Sequence, residues 1–415
     1  MRFLIVSQYF WPETFIINDL AANLQSAGHQ VTVATGKPNY PGGAIFTGYR
    51  QSGVQNESYG GKIPVIRVPM RPRGAGKRWD IVRNYLSFVA QALWHLPRRL
   101  SGKEYDVILV FGVSPITAAI PAIWLKQSRR AHLAIWVQDL WPDSLEMTGY
   151  VRNRGLLRGV GQMVRWIYGA ADTILVQSDA FVEQVARYAD PSKLVVFTNF
   201  ASDAPSVAKP IPDAIQREFD RDHFNILFAG NLGKVQSLGT ILAAAEQLQG
   251  RADDIQFLVA GTGSEAESMR AGVEERKLDN IRLLGRLDSA LMPDLFRRAD
   301  ALLVTLADAP ALEATVPSKI QAYMQAERPI IGALNGEGAR VIRLAAAGYT
   351  VPSGDGEGLA RAILTLARMP SNKRAEMGRN ARSYFLEHFE AKRAASRLVT
   401  ILSSRLRQKG ISCAV

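Results

Sequence analysis

A single cysteine in 415 residues, Cys413, has no second thiol to bond with. That excludes a disulfide-framed secreted fold and suits a reducing cytosol. No apolar run reaches the roughly 20 residues that a membrane-spanning helix needs. Met1-Arg2 runs straight into Phe3-Leu-Ile-Val6, too short for a signal-peptide core, and these residues read as a first strand. The five histidines are scattered and no His/Cys cluster forms, so no metal site is expected. No G-x-G-x-x-G follows the first strand, which disfavours a dinucleotide oxidoreductase. The one Asp-x-Asp, Asp220-Arg-Asp222, lies in a stretch that reads as linker, where a solvated charge run is expected. Aromatic residues are not interleaved with Lys/Arg as a nucleic-acid stacking platform requires, and no nucleic-acid partner is expected.

What is present is an alternation of short apolar runs and amphipathic stretches, over a length that predicts two domains. The first series begins at residues 2–7, continues through a helix to about Ala27, and has strands at Gln30–Thr35, 63–69, Val107–Phe111, His132–Val137, Thr173–Val176 and Leu194–Thr198. Residues 200–222, with Pro205, Pro210 and Pro212, read as a linker. The second series has strands at Asn225–Gly230, Gln256–Ala260, Ile281–Leu284, Ala301–Leu306 and Pro329–Gly332. The expected fold is α/β: two doubly wound, Rossmann-like domains facing across a cleft. Residues 1–199 form the first, 223–384 the second, and a C-terminal helix from about 385 packs back on the first.

The net charge of +12 is uneven, because residues 1–199 hold 22 Lys/Arg against 13 Asp/Glu. Arg71-Pro-Arg-Gly-Ala-Gly-Lys-Arg78 precedes a predicted helix from Trp79 to Leu96, stopped by Pro97. Its apolar stripe is expected at Val82, Tyr85 or Leu86, Val89 and Leu93, with Arg78, Arg83, Arg98 and Arg99 along and beyond it. One reading is a core helix with solvated ends. The other, favoured by the charge asymmetry, is a basic amphipathic helix on an anionic membrane.

The loops at the strand ends carry the chemistry. In the second domain Gly230-Asn-Leu-Gly-Lys-Val-Gln236, Gly261-Thr-Gly-Ser264 and Gly285-Arg286 each follow a strand. Glycines let backbone approach an anion, and Lys234 can supply charge. The strand Ala301–Leu306 leads through a loop to Val316-Pro317-Ser318-Lys319, a helix start. Ser318 is expected to cap it, and Lys319 adds charge to its partial positive end.

Taken in order, these segments resemble a family-4 retaining glycosyltransferase of the GT-B fold along essentially the whole chain. The resemblance rests on Gly28-His-Gln-Val-Thr-Val33, Val137-Gln-Asp-Leu-Trp-Pro-Asp-Ser144, Phe228-Ala-Gly-Asn231, Gly261-Thr-Gly263 and Gly285-Arg286. It extends to Pro317-Ser-Lys-Ile-Gln-Ala-Tyr-Met324, Arg328-Pro-Ile-Ile-Gly332 and Gly348–Ser353. Trp11-Pro-Glu13, Asn18-Asp-Leu20 and Lys37-Pro-Asn-Tyr-Pro-Gly42 are similar to bacterial O-antigen and capsule N-acetyl-fucosamine transferases.

The resemblance implies transfer, with retained configuration, of an N-acetylated or 6-deoxy-N-acetylated hexosamine. The donor is a nucleoside diphosphate, expected to be UDP-linked, and the acceptor a polyprenyl-diphosphate-linked saccharide of surface polysaccharide synthesis. Neither a cofactor nor an essential metal is implied. The location implied is cytoplasmic, peripheral on the inner face of the plasma membrane. Gly230, Asn231, Lys234, Gln236 and Gly261 would lie on one side of the diphosphate, and Pro317, Ser318 and Lys319 on the other. Leu284 and Arg286 would border the base, and Gln321 is a candidate for the ribose. Gln138 or Asp139 would face the sugar, with Glu313 and Lys319 as further catalytic candidates. Gln8, Trp11, Glu13, Asn39 and Tyr40 would shape the acceptor side.

The chain departs from the family's pattern in places. Asn231 stands where Arg is common, Gln236 near a usual Lys, Gln138 at a frequent His, and Ala322 where the second of two paired glutamates holds the ribose. The alternatives are a UDP-sugar 2-epimerase of the same fold, for which no acidic and His set can be assembled, and a nucleic-acid binder.

Overall fold

Aliphatic runs of four to six residues at regular spacing pair side by side because helical crossovers cover both of their faces. The computed structural model describes residues 1–147, 153–201, 210–219, 222–252 and 254–408. They divide into two compact units, Met1–Asn199 with the segment from Ala391, and Phe200–Glu390.

The first unit holds β1 (Arg2–Val6), β2 (Gln30–Thr35), β3 (Gln55–Tyr59), β4 (Ile63–Arg67), β5 (Val107–Gly112), β6 (His132–Val137), β7 (Thr173–Val176) and β8 (Leu194–Val196). Their order in the sheet is β3-β4-β2-β1-β5-β6-β7-β8. Phe3 of β1 lies opposite Val31 on one side and Val107 on the other. Only β3 runs antiparallel to its neighbour, β4. It was not foreseen from the sequence, because Gln55-Asn-Glu-Ser-Tyr59 lacks the apolar alternation that marks a strand, and it sits at the sheet edge.

Right-handed crossovers put the helices that follow β4, β5 and β6 on one face of this sheet. They are Arg78–Arg99, Ala119–Arg129 and Arg154–Ala170, and they pack in that order. The first does not stop at Pro97. It continues to Arg99, since a proline in the last turn removes one hydrogen bond whose loss solvent can offset. Its buried stripe is Ile81, Asn84, Phe88, Ala92 and Leu96, one position away from the expected stripe.

The second unit is an all-parallel sheet of β9 (Phe224–Ala229), β10 (Ile255–Ala260), β11 (Ile281–Gly285), β12 (Ala301–Thr305), β13 (Ile330–Ala333) and β14 (Gly348–Val351). The order is β11-β10-β9-β12-β13-β14. Along β9, Ile226 and Phe228 enter one apolar layer and Leu227 and Ala229 the other, as period-two alternation requires.

Two boundaries differ from the sequence reading. Ile211 and Phe219, within the expected linker, belong to the core of the second unit; Asp220 and Arg221 lie outside the described residues. The C-terminal amphipathic stretch is two helices. Ser371–His388 packs on the Ser318–Gln325 helix of the second unit, and Ala391–Gln408 packs on Ile16–Ser26 of the first. At the break the Phe389 carbonyl accepts from the Ala201 amide at 2.9 Å.

Candidate functional site

In the second unit three glycine-bearing loops meet at the carboxyl ends of β9, β10 and β11. The Gly230 amide donates to the Ala260 carbonyl, the Leu232 amide to Thr262, and the Gly261 amide to Gly285. The approach is close enough to require glycine. A Cβ on Gly261, whose φ is +153°, would lie 1.8 Å from the Gly230 carbonyl oxygen. One on Gly230 would lie 2.7 Å from Cε of Lys319. Gly230, Gly261 and Lys319 are thus brought together.

Lys319 is the electrostatic centre of this edge. Its Nζ donates to Gln236 Oε1 at 2.8 Å and sits 3.7 Å from the centre of the Phe228 ring. Burial pushes its ammonium down to about 7. Gln236 is itself fixed from behind, its carbonyl accepting from the Thr305 hydroxyl. The supporting helix Ser318–Gln325 is held by Tyr323, fully buried, whose hydroxyl accepts from the Ala229 amide at 3.1 Å. A cation that is desolvated here and faces an amide oxygen and a ring is poised to receive an anion.

Other expected donor residues are placed with varying directness. Asn231 and Lys234 are exposed in the loop after β9, and Lys234 opens a short turn of 3₁₀ helix, Lys234–Gln236. Leu284 is half-buried in β11 and Arg286 exposed just beyond it. Ser318 is not the cap. It is the first helical residue, Pro317 holds the cap position, and no side chain caps this end, although the Ile320 amide donates to the Pro317 carbonyl. Gln321 is buried, only 3% exposed. Glu313 closes a short helix, Pro310–Glu313, and accepts weakly from Asn335 Nδ2 at 3.4 Å. A cavity of 560 Å³ lined by His223, Gln256, Asn280 and Arg282 opens at the amino ends of β9–β11, the opposite edge, and gathers none of these residues.

In the first unit Gln138 and Asp139 follow β6. Asp139 Oδ2 accepts from the Ser114 amide at 2.7 Å, and Trp141 Nε1 donates to Ser114 Oγ, which ties this loop to the end of β5. Gln138 Nε2 donates to Asn199 Oδ1, and the Asn199 amide donates to Gln177 Oε1.

The expected acceptor-side residues converge at the ends of β1 and β2, but mostly as builders. Glu13 accepts from the amides of Phe10, Asn39 and Tyr40. Burial pushes its carboxyl up to about 7 against the pull of those amides. Gln8 and Asn39 are buried and meet through Asn84, which accepts from Gln8 Nε2 at 2.7 Å and donates to Asn39 Oδ1. Trp11 and Tyr40 are each 40% exposed and offer the free surface. Arg73, Tyr9 and Asn84 were missed in the sequence, although Arg73 lies in the basic loop already noted there.

A model for the "Glycosyl transferase 4-like domain" matches residues 15–199, and one for "Glycosyl transferases group 1" matches residues 223–369. The chain is a glycosyltransferase of the GT-B fold. It is 21% identical over 341 residues to a protein named for colanic acid biosynthesis, the glycosyl transferase WcaI of Escherichia coli (strain K12). That match covers 77% of this chain and 80% of WcaI. Among solved structures it is similar to a sucrose-phosphate synthase from Thermosynechococcus elongatus, with a TM-score of 0.72 and 16% identity, covering 98% of this chain and 100% of that one. The HepE structure from Anabaena, in complex with UDP, aligns with a TM-score of 0.67 at 14% identity, over 97% of this glycosyltransferase and 100% of HepE.

Proposed function

We propose that this glycosyltransferase moves a sugar, with retained configuration, from a nucleoside diphosphate held at the loop edge of its second unit to a lipid-linked saccharide. The desolvated Lys319 ammonium between Gln236 and the Phe228 ring carries the reading. In the reaction the bond from the sugar's anomeric carbon to the diphosphate oxygen breaks, and a bond to an acceptor hydroxyl oxygen forms. The hydroxyl proton passes to the leaving phosphate or to Asp139. The burden is the charge developing on the diphosphate. Lys319, Lys234 and the amides of Ser318 and Lys319 at the start of the Ser318–Gln325 helix would stabilise it without a metal. The presence of UDP in the HepE structure supports a uridine donor. The colanic acid biosynthesis in WcaI's name supports polysaccharide synthesis as the setting. An N-acetylated or 6-deoxy-N-acetylated hexosamine, which the sequence resemblance implies, is the sugar to try first.

An anionic membrane is the proposed site of work. Among the described residues no helix is long and apolar enough to cross a membrane. The Arg78–Arg99 helix instead leaves Trp79 73%, Leu86 59% and Trp94 63% exposed beside Arg78, Arg83, Arg98 and Arg99. Aromatic side chains alternating with arginines on one helix surface favour the headgroup layer.

A panel of nucleotide-sugars tests the donor assignment through thermal stabilisation and through transfer to a polyprenyl-diphosphate-linked saccharide, with the anomeric configuration of the product read by NMR. Stabilisation by a uridine compound and a retained product are expected. Turnover of the donor without acceptor would point to the epimerase, and no response to any nucleotide-sugar would overturn the reading.

A further inference from the structure

Three basic side chains stand at the carboxyl edge of β2 and β4 and in the loop beyond, and their partners differ. Arg67, fully buried, pairs with Glu57 and donates to the carbonyls of Gly36 and Trp11. Lys37 is buried and donates to Gln55 Oε1 at 3.1 Å. Arg73 meets three phenols: its Nη1 donates to the Tyr9 hydroxyl at 2.7 Å, Cζ lies 5.3 Å from the centre of the Tyr40 ring, and Tyr85 is a further hydrogen-bond partner. A half-buried guanidinium held by phenol hydroxyls keeps a planar fork that suits phosphate oxygens.

The loops around Arg73 are fixed in advance. Its backbone amide donates to Asn39 Oδ1, and Asn84 Nδ2 donates to the Arg71 carbonyl at 2.6 Å. The Gly74 amide donates to the Gly43 carbonyl, and a Cβ on Gly43, at φ +80°, would fall 1.9 Å from the Gly74 oxygen. The buried Gln8–Asn84–Asn39 amides and the Glu13 clamp therefore serve to hold Arg73 and Tyr40 in place. Tyr40 in turn packs against Tyr9 and Phe15, with ring centres 5.6 and 5.5 Å away. Such rigidity lowers the ordering cost of binding.

We propose that Arg73, caged by Tyr9, Tyr40 and Tyr85, is a phosphate-binding residue for the acceptor, taking the diphosphate ester that links the acceptor saccharide to its lipid. The proposal rests on the glycosyltransfer reading for its ligand, and the position of Arg73 supplies the lipid. Arg73 lies five residues before the Arg78–Arg99 helix, whose first turn exposes Trp79 at the surface proposed to meet the bilayer. A phosphate held there would be the one that joins the acceptor saccharide to its lipid.

The test is calorimetric titration of the whole protein, with UDP present at saturation so that the second unit contributes no phosphate signal. The probes are geranyl diphosphate and inorganic diphosphate. The wild type is expected to bind geranyl diphosphate. Arg73→Gln should weaken that binding at least tenfold and Tyr9→Phe severalfold, with UDP affinity unchanged in both. Tighter binding of the prenyl compound than of inorganic diphosphate assigns the site to lipid-linked phosphate, whereas equal affinity assigns it to soluble phosphates and removes the lipid. Undiminished binding by folded Arg73→Gln, or no binding by the wild type, overturns the proposal. Should Arg73→Gln fail to fold, Tyr9→Phe alone decides. Failure of UDP to bind at all would count against the donor reading and not against this one.

Discussion

Lys319, half-buried, and Glu13, buried, are groups of opposite kind, and their titrations separate the two units. The folded Lys319 titrates near 7, well below its ordinary 10.5, because burial penalises its charge. Its drag on stability is fully present below 7 and is relieved as pH climbs from there toward 10.5. Anion binding favours the charged form, so above 7 a nucleoside diphosphate must bring a proton with it. UDP affinity is expected to fall as pH rises from about 7.5, with proton uptake at about pH 8.5 seen by calorimetry in buffers of different ionisation enthalpy. Lys319→Gln should abolish the uptake and cut turnover at least about tenfold, roughly 1.4 kcal/mol of barrier; no proton uptake in the wild type would remove Lys319 from the diphosphate. Glu13 works in the other direction. Its carboxyl is raised from 4.5 to about 7, so its stabilising protonated form is lost as pH rises through that range. The melting temperature of the first unit should decline from about pH 4.5 to 7.5, and Glu13→Gln should flatten the decline. An unchanged slope in that variant would place the titration elsewhere.

At the scale of elements, the Arg78–Arg99 helix shows what a hydrophobic pattern can and cannot say. The stripe expected at Val82, Tyr85 or Leu86, Val89 and Leu93 is regular, yet Val82 and Leu86 are exposed, and the core side is Ile81, Asn84, Phe88, Ala92 and Leu96. Two apolar stripes compete on one helix, and periodicity alone cannot choose between them. Asn84 disguised the true core face, because a buried asparagine is tolerated only through its bonds to Gln8, Asn39 and Arg71. Those partners lie 13 to 76 residues away in the chain. Arg73 and its phenol cage were illegible for the same reason. The glycine loops after β9 and β10 were legible, since a strand followed at once by glycine gives both the position and the need for close backbone approach. The outward stripe yields a prediction of its own. Cosedimentation with anionic vesicles should fall at least tenfold when Arg78, Arg83, Arg98 and Arg99 become Ser, each cation near such a surface contributing about 1 kcal/mol. Trp79→Ser with Trp94→Ser should reduce binding further at high salt, where charge is screened and the rings carry more of the attachment. Equal binding by all three proteins would leave this helix without a membrane role.

The whole chain begins in the first unit, crosses into the second and returns. The returning helix, Ala391–Gln408, buries Leu398, Leu402 and Leu406 completely against the unit that contains the first strand. Burial of three leucines contributes on the order of 5 kcal/mol, a large share of a domain's net stability. Residues of the returning helix thus help hold the first unit together. All seven tryptophans lie within residues 1–199, so tryptophan fluorescence reports the first unit alone, while the UDP-dependent shift of a calorimetric transition reports the second. A chain ending at Glu390 should show its fluorescence melt lowered by ten degrees or more, with the UDP-shifted transition unmoved. Replacing Leu398, Leu402 and Leu406 by Ala in the full chain should lower it in the same direction. A fluorescence melt that survives both changes would mean that the first unit is stable without the returning helix, and that the C-terminal segment packs there without supporting it.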